Sequence, residues 1–258
     1  MDTTVWTVYL CFWLAVAGAV LGSFLWCAAG RWAAGKPPFS GRSRCDGCGR
    51  TLGAAELVPV FSYLIQRGRC RGCGEKIPPG CLWAEVAGAA GFACLGAAIG
   101  PRPQLGMWAV WGGLLLAVAL ADAAKRIIPD LLLAALAANR LVWLLLLGEE
   151  VKTAALSALG GCAVAAALLG LVLAGEKLTG QELMGGGDIK LMFALGLYFD
   201  WPRQLLTLLV GCLLGLVWAA AGRRGRGTAI PFGPFLALGA AATLCFGGPV
   251  VDWYWNLF

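Results

Sequence analysis

The sequence predicts an all-α polytopic membrane protein, and three observations support this fold class. Of the 258 residues, 60% are hydrophobic and only 13% are charged, with a mean hydropathy of +0.78. A soluble domain usually carries about 25% charged residues. The apolar residues form long stretches, and only a helix can satisfy its own backbone in lipid. We therefore predict about eight transmembrane helices, with a small cytoplasmic loop domain between the first and the second.

The apolar stretches define the predicted spans, because crossing about 30 Å of hydrocarbon takes roughly 20 apolar residues. The first is interpreted as a retained anchor rather than a signal peptide, since only Asp2 precedes it and a basic n-region is missing. The sixth has only 11 residues before Asp200 and would cover about 17 Å, so either it is not a span or it begins inside the membrane. The eight candidates are Val5–Trp26, Leu82–Ile99, Leu105–Ala121, Leu131–Leu147, Thr153–Ala174, Ile189–Phe199, Leu205–Ala221 and Ile230–Phe246.

The distribution of Lys and Arg predicts the orientation, because cytoplasmic loops are enriched in these residues. With eight spans, the long loop and the loops on its side hold most of the 20 cations, whereas Arg102, Lys152 and Arg203 face the other side and Arg140 lies within a span. Both termini are therefore predicted outside and the long loop in the cytoplasm. This bias explains the net charge of +6 by contact with anionic membrane lipid, without a nucleic-acid partner. The cytoplasmic set is Arg31, Lys36, Arg42, Arg44, Arg50, Arg67, Arg69, Arg71, Lys76, Lys125, Arg126, Lys177, Lys190, Arg223, Arg224 and Arg226.

Histidine is absent from the chain, which excludes several kinds of site. Ser-His-Asp and Cys-His catalysis, His-ligated metals and imidazole proton relays all need that side chain. Acid–base chemistry must therefore come from carboxylates, tyrosines or cysteines, and a metal site must use sulfur or carboxylate ligands.

Four of the eleven cysteines form two CxxC pairs in the long loop, Cys45 with Cys48 and Cys70 with Cys73. This spacing is close to that of zinc ribbons, in which four thiolates surround a structural Zn²⁺. Disulfides are disfavoured in the reducing cytoplasm, and unligated thiols are the other alternative. The remaining seven cysteines lie in or beside spans, where they are interpreted as small packing residues.

Two aspartates near predicted span ends are candidate catalytic residues. Asp122 ends the third span, and Asp188 follows three glycines at the start of the short sixth segment. At 1.5 Å per residue they lie at similar depth on helices of opposite direction, so they can converge. An ionisable group in a membrane indicates a functional site by default. The alternative is that Lys125, Arg126 and Lys190 simply neutralise boundary carboxylates. Asp130 follows Pro129 and is interpreted as an ordinary helix N-terminal residue.

A pair of close carboxylates suits peptide hydrolysis. Two like charges a few ångströms apart cannot both ionise cheaply, so the pair holds one proton near neutral pH. The ionised member takes a proton from water, and the protonated member polarises the peptide carbonyl and then assists the leaving amine. Glycines before Asp188 would let an extended peptide lie against the site.

Several ordered motifs are similar to those of the type IV prepilin leader peptidase family, which are intramembrane aspartic peptidases of the GxGD class. The resemblance covers nearly the whole chain and includes both CxxC pairs and Glu85, at the start of the second span. Trp26 departs from the family, in which we expect Asn after Gly-Ser-Phe-Leu. The matching motifs are Gly22-Ser23-Phe24-Leu25, Val58-Pro59-Val60-Phe61-Ser62-Tyr63-Leu64, Asp122 with Ile128-Pro129-Asp130, Gly185-Gly186-Gly187-Asp188-Ile189-Lys190-Leu191 and Ile230-Pro231-Phe232-Gly233-Pro234-Phe235-Leu236.

The resemblance implies an aspartic endopeptidase in the bacterial inner membrane that removes prepilin or pseudopilin leaders on the cytoplasmic side, with Asp122 and Asp188 as the catalytic pair. It also implies N-methylation of the new N-terminus with S-adenosylmethionine. We predict three parts, a first helix (1–26), a zinc-binding loop (27–81) and a peptidase domain (82–258). Two alternatives are an ion-coupled transporter using the intramembrane aspartates and a noncatalytic assembly protein that docks through the zinc loop.

Overall fold

The structure is a computed structural model, and it describes residues 3–148, 151–221 and 231–257. The fold class is confirmed, because the described residues form helices joined by loops, with two isolated β-bridges and no strands among them. A 3₁₀ turn spans Ala54–Glu56. The helices are α1 (Thr3–Ala33), α2 (Phe61–Ile65), α3 (Pro79–Ile99), α4 (Gln104–Lys125), α5 (Asp130–Leu147), α6 (Val151–Thr179), α7 (Gly186–Gly196), α8 (Trp201–Ala221) and α9 (Gly233–Trp255).

Seven of these helices are long and apolar enough to cross a membrane, so the chain is a multi-pass membrane protein. The sixth predicted span corresponds to α7, which has only 11 residues and covers about 16 Å. It begins at Gly186 and ends at Gly196, whereas the prediction placed it at Ile189–Phe199. Among the described residues, seven helices are therefore full-length spans, and the sixth predicted segment is a short additional helix, as its length of 11 residues indicated.

Most helices run beyond their predicted ends because a helix continues through polar residues at the membrane boundary. Helix α1 extends past Trp26 to include Arg31 in its last turn, and α4 includes Asp122 and Lys125. Helix α8 begins at Trp201 instead of Leu205, with Pro202 in its first turn, where a missing N–H does no harm. Residues 223, 224, 226 and 230, used above for charge and motif predictions, lie outside the described residues, as does residue 2.

The chain divides into two compact units, Met1–Leu105 and Gly106–Phe258. In the first unit, α1 and α3 pack closely through small residues. A side chain at Gly18 or Gly22 would overlap the backbone of Gly88 or Ala84 on α3. Small residues let helix backbones approach each other in lipid, where the hydrophobic effect supplies little driving force. The loop between α1 and α3 carries the two CxxC pairs.

The second unit has a continuous apolar core built around α7. Leu191, Met192 and Leu195 of this helix are fully buried and pack with Val118 and Leu136 of the flanking helices. Because it is surrounded by protein, α7 needs no lipid contact of its own. Its length is therefore compatible with a position inside the bundle.

Polar side chains hold the C-terminal end of α7. The Asn139 amide donates to the Tyr198 hydroxyl at 2.9 Å, and that hydroxyl donates to the Leu136 carbonyl at 2.7 Å. The Arg140 Nε donates to the Leu197 carbonyl at 3.2 Å, next to the last turn of α7. Cations favour helix C-termini. The intramembrane Arg140 found in the sequence thus stabilises a helix end.

Candidate functional site

Two short hairpins in the first unit present the four predicted metal ligands. In one, Cys45 receives a hydrogen bond from Gly49 N–H at 2.9 Å, and isolated bridge pairing joins Arg44 to Thr51. The other hairpin repeats this arrangement, with Gly74 N–H donating to the Cys70 carbonyl at 2.9 Å. Gly49 and Gly74 have φ of 71° and 73°, a conformation that glycine adopts without strain. The repeated geometry explains why each CxxC is followed by glycine.

The four thiols converge on one point. Their sulfur atoms all lie within 4.8 Å of one another, and the Sγ atoms of Cys45 and Cys73 are 3.7 Å apart. Zinc bound at about 2.3 Å by four thiolates in a tetrahedron requires sulfur separations of about 3.8 Å. All four cysteines are free, and a disulfide would need a sulfur separation of about 2.05 Å. The cluster therefore has the ligand type, number and spacing of a structural zinc site.

The surroundings of Cys70 favour the thiolate, which is the metal-binding form. The backbone N–H of Cys73, the Arg50 side chain and the backbone N–H of Gly72 lower the pKa of Cys70 to about 6. Arg50 also forms an ion pair with Glu56, whose pKa it lowers. Arg50 thus connects the second cysteine pair to the 3₁₀ turn, a link that spacing alone did not predict.

In the second unit, Asp122 lies in the last turn of α4 and is buried. Its Oδ2 accepts a hydrogen bond of 2.9 Å from the backbone N–H of Gly233, the first residue of α9. A Cβ added at Gly233 would lie 2.9 Å from the same oxygen. Helix N-termini favour negative charge, so glycine at this position lets α9 approach and hold the carboxylate.

Asp188 is the third residue of α7 and is also buried. Its Oδ1 has no hydrogen-bond partner among the described residues, and the charge of Asp122 acts on it. Gly187 allows the segment to pack against the loop after Asp122, since a Cβ there would lie 3.2 Å from the Ile128 Cβ. The structure therefore brings both predicted aspartates to a place where the ends of α4, α7 and α9 meet.

Lys190 lies next to this site, but its partner is Asp130 and not Asp188. Lys190 Nζ lies 2.7 Å from Asp130 Oδ1, and both side chains are exposed. Lys190 therefore pairs with the first residue of α5 instead of neutralising Asp188. The Arg126 charge does act on Asp122, so neutralisation by a boundary cation applies in part to that residue. Asp130 is the first residue of its helix, as expected.

Comparisons with known proteins agree with this arrangement. Residues 16–99 match the family model for the bacterial peptidase A24 N-terminal domain, and residues 109–220 match the model for the type IV leader peptidase family. A prepilin leader peptidase/N-methyltransferase of Bacillus subtilis (strain 168) is 31% identical over 249 residues, which cover 93% of this chain and 96% of that protein. The chain belongs to the type IV leader peptidase family.

Further relatives with the same description come from other bacteria. One from Burkholderia pseudomallei (strain K96243) is 37% identical over 81% of this chain and 68% of its own length. One from Aeromonas hydrophila is 32% identical over 86% of this chain and 79% of its own length. No solved structure matches the chain. The family resemblance stated from the motifs is thereby confirmed.

Sequence reasoning found the aspartates and cysteines but missed the groups that hold them. Gly233 appeared only as part of a motif, and its backbone contact with Asp122 depends on packing between helices that are far apart in sequence. Its position at the start of an apolar stretch after Pro231 was the available signal. The unpartnered oxygen of Asp188 had no signal in the sequence at all.

Proposed function

We propose that the protein is an aspartic endopeptidase that removes the leader of type IV prepilins or pseudopilins, with Asp122 and Asp188 as the catalytic pair. The proposal rests on one observation, the convergence of two buried carboxylates from different helices in a chain of this family. Family membership also argues against the transporter and the noncatalytic assembly protein.

The hydrogen bonding of the two carboxylates suggests separate roles. The Gly233 N–H stabilises negative charge on Asp122, because a hydrogen bond to the charged form favours that form. Asp188 Oδ1 is buried without a partner, which favours the neutral acid. Asp122 is therefore the base that takes a proton from the attacking water. Asp188 donates its proton to the scissile carbonyl, and the amine leaves with a proton from the pair.

The proposed orientation follows from the charges. With α7 taken as the sixth of eight passages, both termini lie outside the inner membrane, and the cysteine loop and the aspartate site face the cytoplasm. Exposed Trp253, Tyr254 and Trp255 at the end of α9 and exposed Trp6 and Tyr9 near the start of α1 fit helix ends at a membrane interface, since aromatic residues favour both interfaces. An alkaline phosphatase fused after the last residue should be active, because this enzyme matures only outside the cytoplasm.

The proposed second activity is methylation of the new N-terminus, which the names of the relatives include. S-adenosylmethionine supplies a methyl group on a sulfonium, which an uncharged amine can accept. We also propose that the thiol cluster binds a structural zinc ion, held by Cys45, Cys48, Cys70 and Cys73. Four sulfur ligands close the coordination shell, so this ion stabilises the loop and takes no part in hydrolysis.

The decisive experiment measures leader removal from a prepilin precursor by purified protein in lipid vesicles. Asp122→Asn and Asp188→Asn should each slow cleavage by about 10²–10⁴-fold, the usual contribution of general acid–base catalysis. Asp200→Asn is the matched control, because the half-buried Asp200 lies just before α8 and 3.8 Å from Arg203, and this variant should cleave normally. Cleavage at the wild-type rate by either Asp122→Asn or Asp188→Asn would refute the assignment of these two aspartates as the catalytic pair.

Methylation of the new N-terminus is tested on the mature pilin that this cleavage reaction produces. Mass spectrometry of the mature pilin should show one added methyl group only when S-adenosylmethionine is present. An unmodified N-terminus under these conditions would limit the protein to cleavage.

A further inference from the structure

The cysteine loop exposes apolar side chains along one side of α2. Phe61, Leu64 and Ile65 lie at positions i, i+3 and i+4 of this helix, a spacing that places them on one face. Ser62, between them in sequence, is buried, so the other side of the helix packs against protein. We call the exposed set the α2 surface. Its members are all between 43% and 69% exposed, and they are Leu57, Val58, Phe61, Leu64 and Ile65.

A hydrogen bond to α3 fixes the depth of the α2 surface relative to the membrane. The Val60 N–H, directly before α2, donates to Glu85 Oε2 at 2.6 Å. Glu85 lies within the span formed by α3, three residues after Leu82, where the apolar stretch begins. At 1.5 Å per residue this is about 5 Å inside the stretch. Helix α2 therefore begins at the level of the membrane boundary, where interfacial segments bury their apolar face by about 5–10 Å.

Exposed cations follow the α2 surface in the chain. Between positions 57 and 78 the sequence has four basic residues and one acidic residue, Glu75. Among the described residues, no carboxylate oxygen lies within 4.0 Å of any of the four basic groups. An apolar face next to a cluster of Lys and Arg is typical of segments that bind anionic membrane surfaces. The four exposed cations are Arg67, Arg69, Arg71 and Lys76.

We propose that the α2 surface inserts into the leaflet on its side of the membrane, the cytoplasmic leaflet in the proposed orientation, and that the four cations bind headgroups of anionic phospholipids there. The apolar side chains account for insertion into the acyl region, and the cations account for the preference for anionic lipid. The cysteine loop is then attached to the bilayer at a third point, besides the ends of α1 and α3.

Depth and charge favour lipid over a protein as the partner of the α2 surface. A two-fold symmetric dimer would bring the same surface of two copies together, and the cations at positions 67–76 would then repel each other. An acidic soluble protein is another occupant that complements these charges. The contact between Val60 and Glu85 places the surface at the membrane boundary, where lipid is the surrounding medium.

Photolabelling of the full-length protein in lipid nanodiscs tests the insertion. The probe is phosphatidylglycerol with a diazirine in its acyl chain, and trypsin releases the peptide Thr51–Arg67, which contains the whole α2 surface and no cysteine. Mass spectrometry should find the lipid adduct in this peptide. Phe61→Ser/Ile65→Ser should lower the adduct yield by about tenfold or more, because each large apolar side chain favours burial by roughly that factor. Leu178→Ser is the control, since Leu178 is exposed at the end of α6, and it should leave the yield unchanged.

The role of the cations is tested by repeating the labelling with phosphatidylcholine that carries the same diazirine. Wild-type protein should give about tenfold more adduct with phosphatidylglycerol. Arg67→Gln should lower this preference by about fivefold, the effect of one cation near an anionic surface. Arg102→Gln is the matched control, because Arg102 is an exposed cation at the other end of α3, and it should keep the full preference.

The wild-type measurement alone can overturn the proposal, whatever the variants do. Absence of any lipid adduct in Thr51–Arg67 would refute insertion, and equal labelling by the two lipids would refute binding of anionic headgroups. A cross-link from this peptide to a second protein chain, in place of lipid, would assign the α2 surface to a protein partner. Metal content equal to that of the wild type verifies that the loop of each variant is folded.

Discussion

The two units build their sites in different ways. In the first unit, the thiols of Cys45 and Cys73 meet across 28 residues of sequence, and each comes from a small hairpin. In the second unit, the contact between Asp122 and Gly233 spans 111 residues and depends on helix packing. The first site is therefore specified locally, and the second exists only when the bundle is assembled.

The units also differ in what stabilises them. The cysteine loop leaves many apolar side chains exposed, including Phe61, Leu64 and Ile65, so it has little core of its own. The second unit surrounds α7 with buried side chains such as Trp111, Leu136 and Leu236. The first unit thus has a cluster of four thiols where a core is missing, and the second unit has buried carboxylates where a core is present.

Metal removal is the strongest way to test this difference. The double variant Cys45→Ser/Cys70→Ser should lose about one equivalent of zinc, and with it about 10–16 kcal/mol of apparent binding free energy that also folds the loop. Trypsin should then cut at the Lys and Arg residues between 36 and 76, while α4–α9 stay resistant. Digestion followed by mass spectrometry, with metal analysis, measures both effects.

The matched control is Cys94→Ser/Cys212→Ser, which changes two exposed cysteines inside spans and should keep the zinc. Wild-type protein that is carefully reduced and contains no metal would contradict the zinc site. Equal protease resistance with and without zinc would show that the loop folds without it.

A single substitution at Gly233 tests the aspartate site of the second unit, with a smaller expected effect. Gly233→Ala places a Cβ about 2.9 Å from Asp122 Oδ2, so either the carboxylate or α9 must move. We expect leader cleavage to slow by about tenfold to a hundredfold, because small displacements of catalytic groups have effects of that size. Zinc content and the protease resistance of the loop should stay unchanged.

Gly170→Ala is the control, since a Cβ at this position of α6 meets no described atom within 4 Å. Its cleavage rate should equal that of the wild type. If Gly233→Ala also cleaves normally, the α9 N-terminus does not position Asp122.

The smallest expected effect concerns the polar contacts at the end of α7. Tyr198→Phe removes the hydrogen bond to the Leu136 carbonyl and the acceptor for Asn139. Hydrogen bonds between membrane helices contribute about 0.6 kcal/mol on average and up to about 1.7. Thermal unfolding in detergent should shift down by about 2–5 °C. An unchanged midpoint would show that the apolar core alone holds α7.

The sequence predicts the first site almost completely and the second only in part. The convergence of Cys45, Cys48, Cys70 and Cys73 could be predicted because two CxxC pairs at this spacing are typical of zinc knuckles. Asp188 was found from three preceding glycines and an unusually short apolar segment. The Gly233 contact and the Lys190–Asp130 pair could not be predicted, because they depend on which helix ends come together. Helix ends were also misjudged wherever polar residues continued a helix beyond its apolar part.

The shortness of α7 has a consequence for biogenesis. A segment of 11 residues is too short to be inserted as an independent span, whereas α6 and α8 are each long and apolar enough. Helices that enter the bilayer separately associate in a later step, so α7 is expected to dock after its neighbours. Asp188 is then expected to reach Asp122 only after α6 and α8 have associated, so closure of the bundle is the step that would complete the proposed catalytic pair.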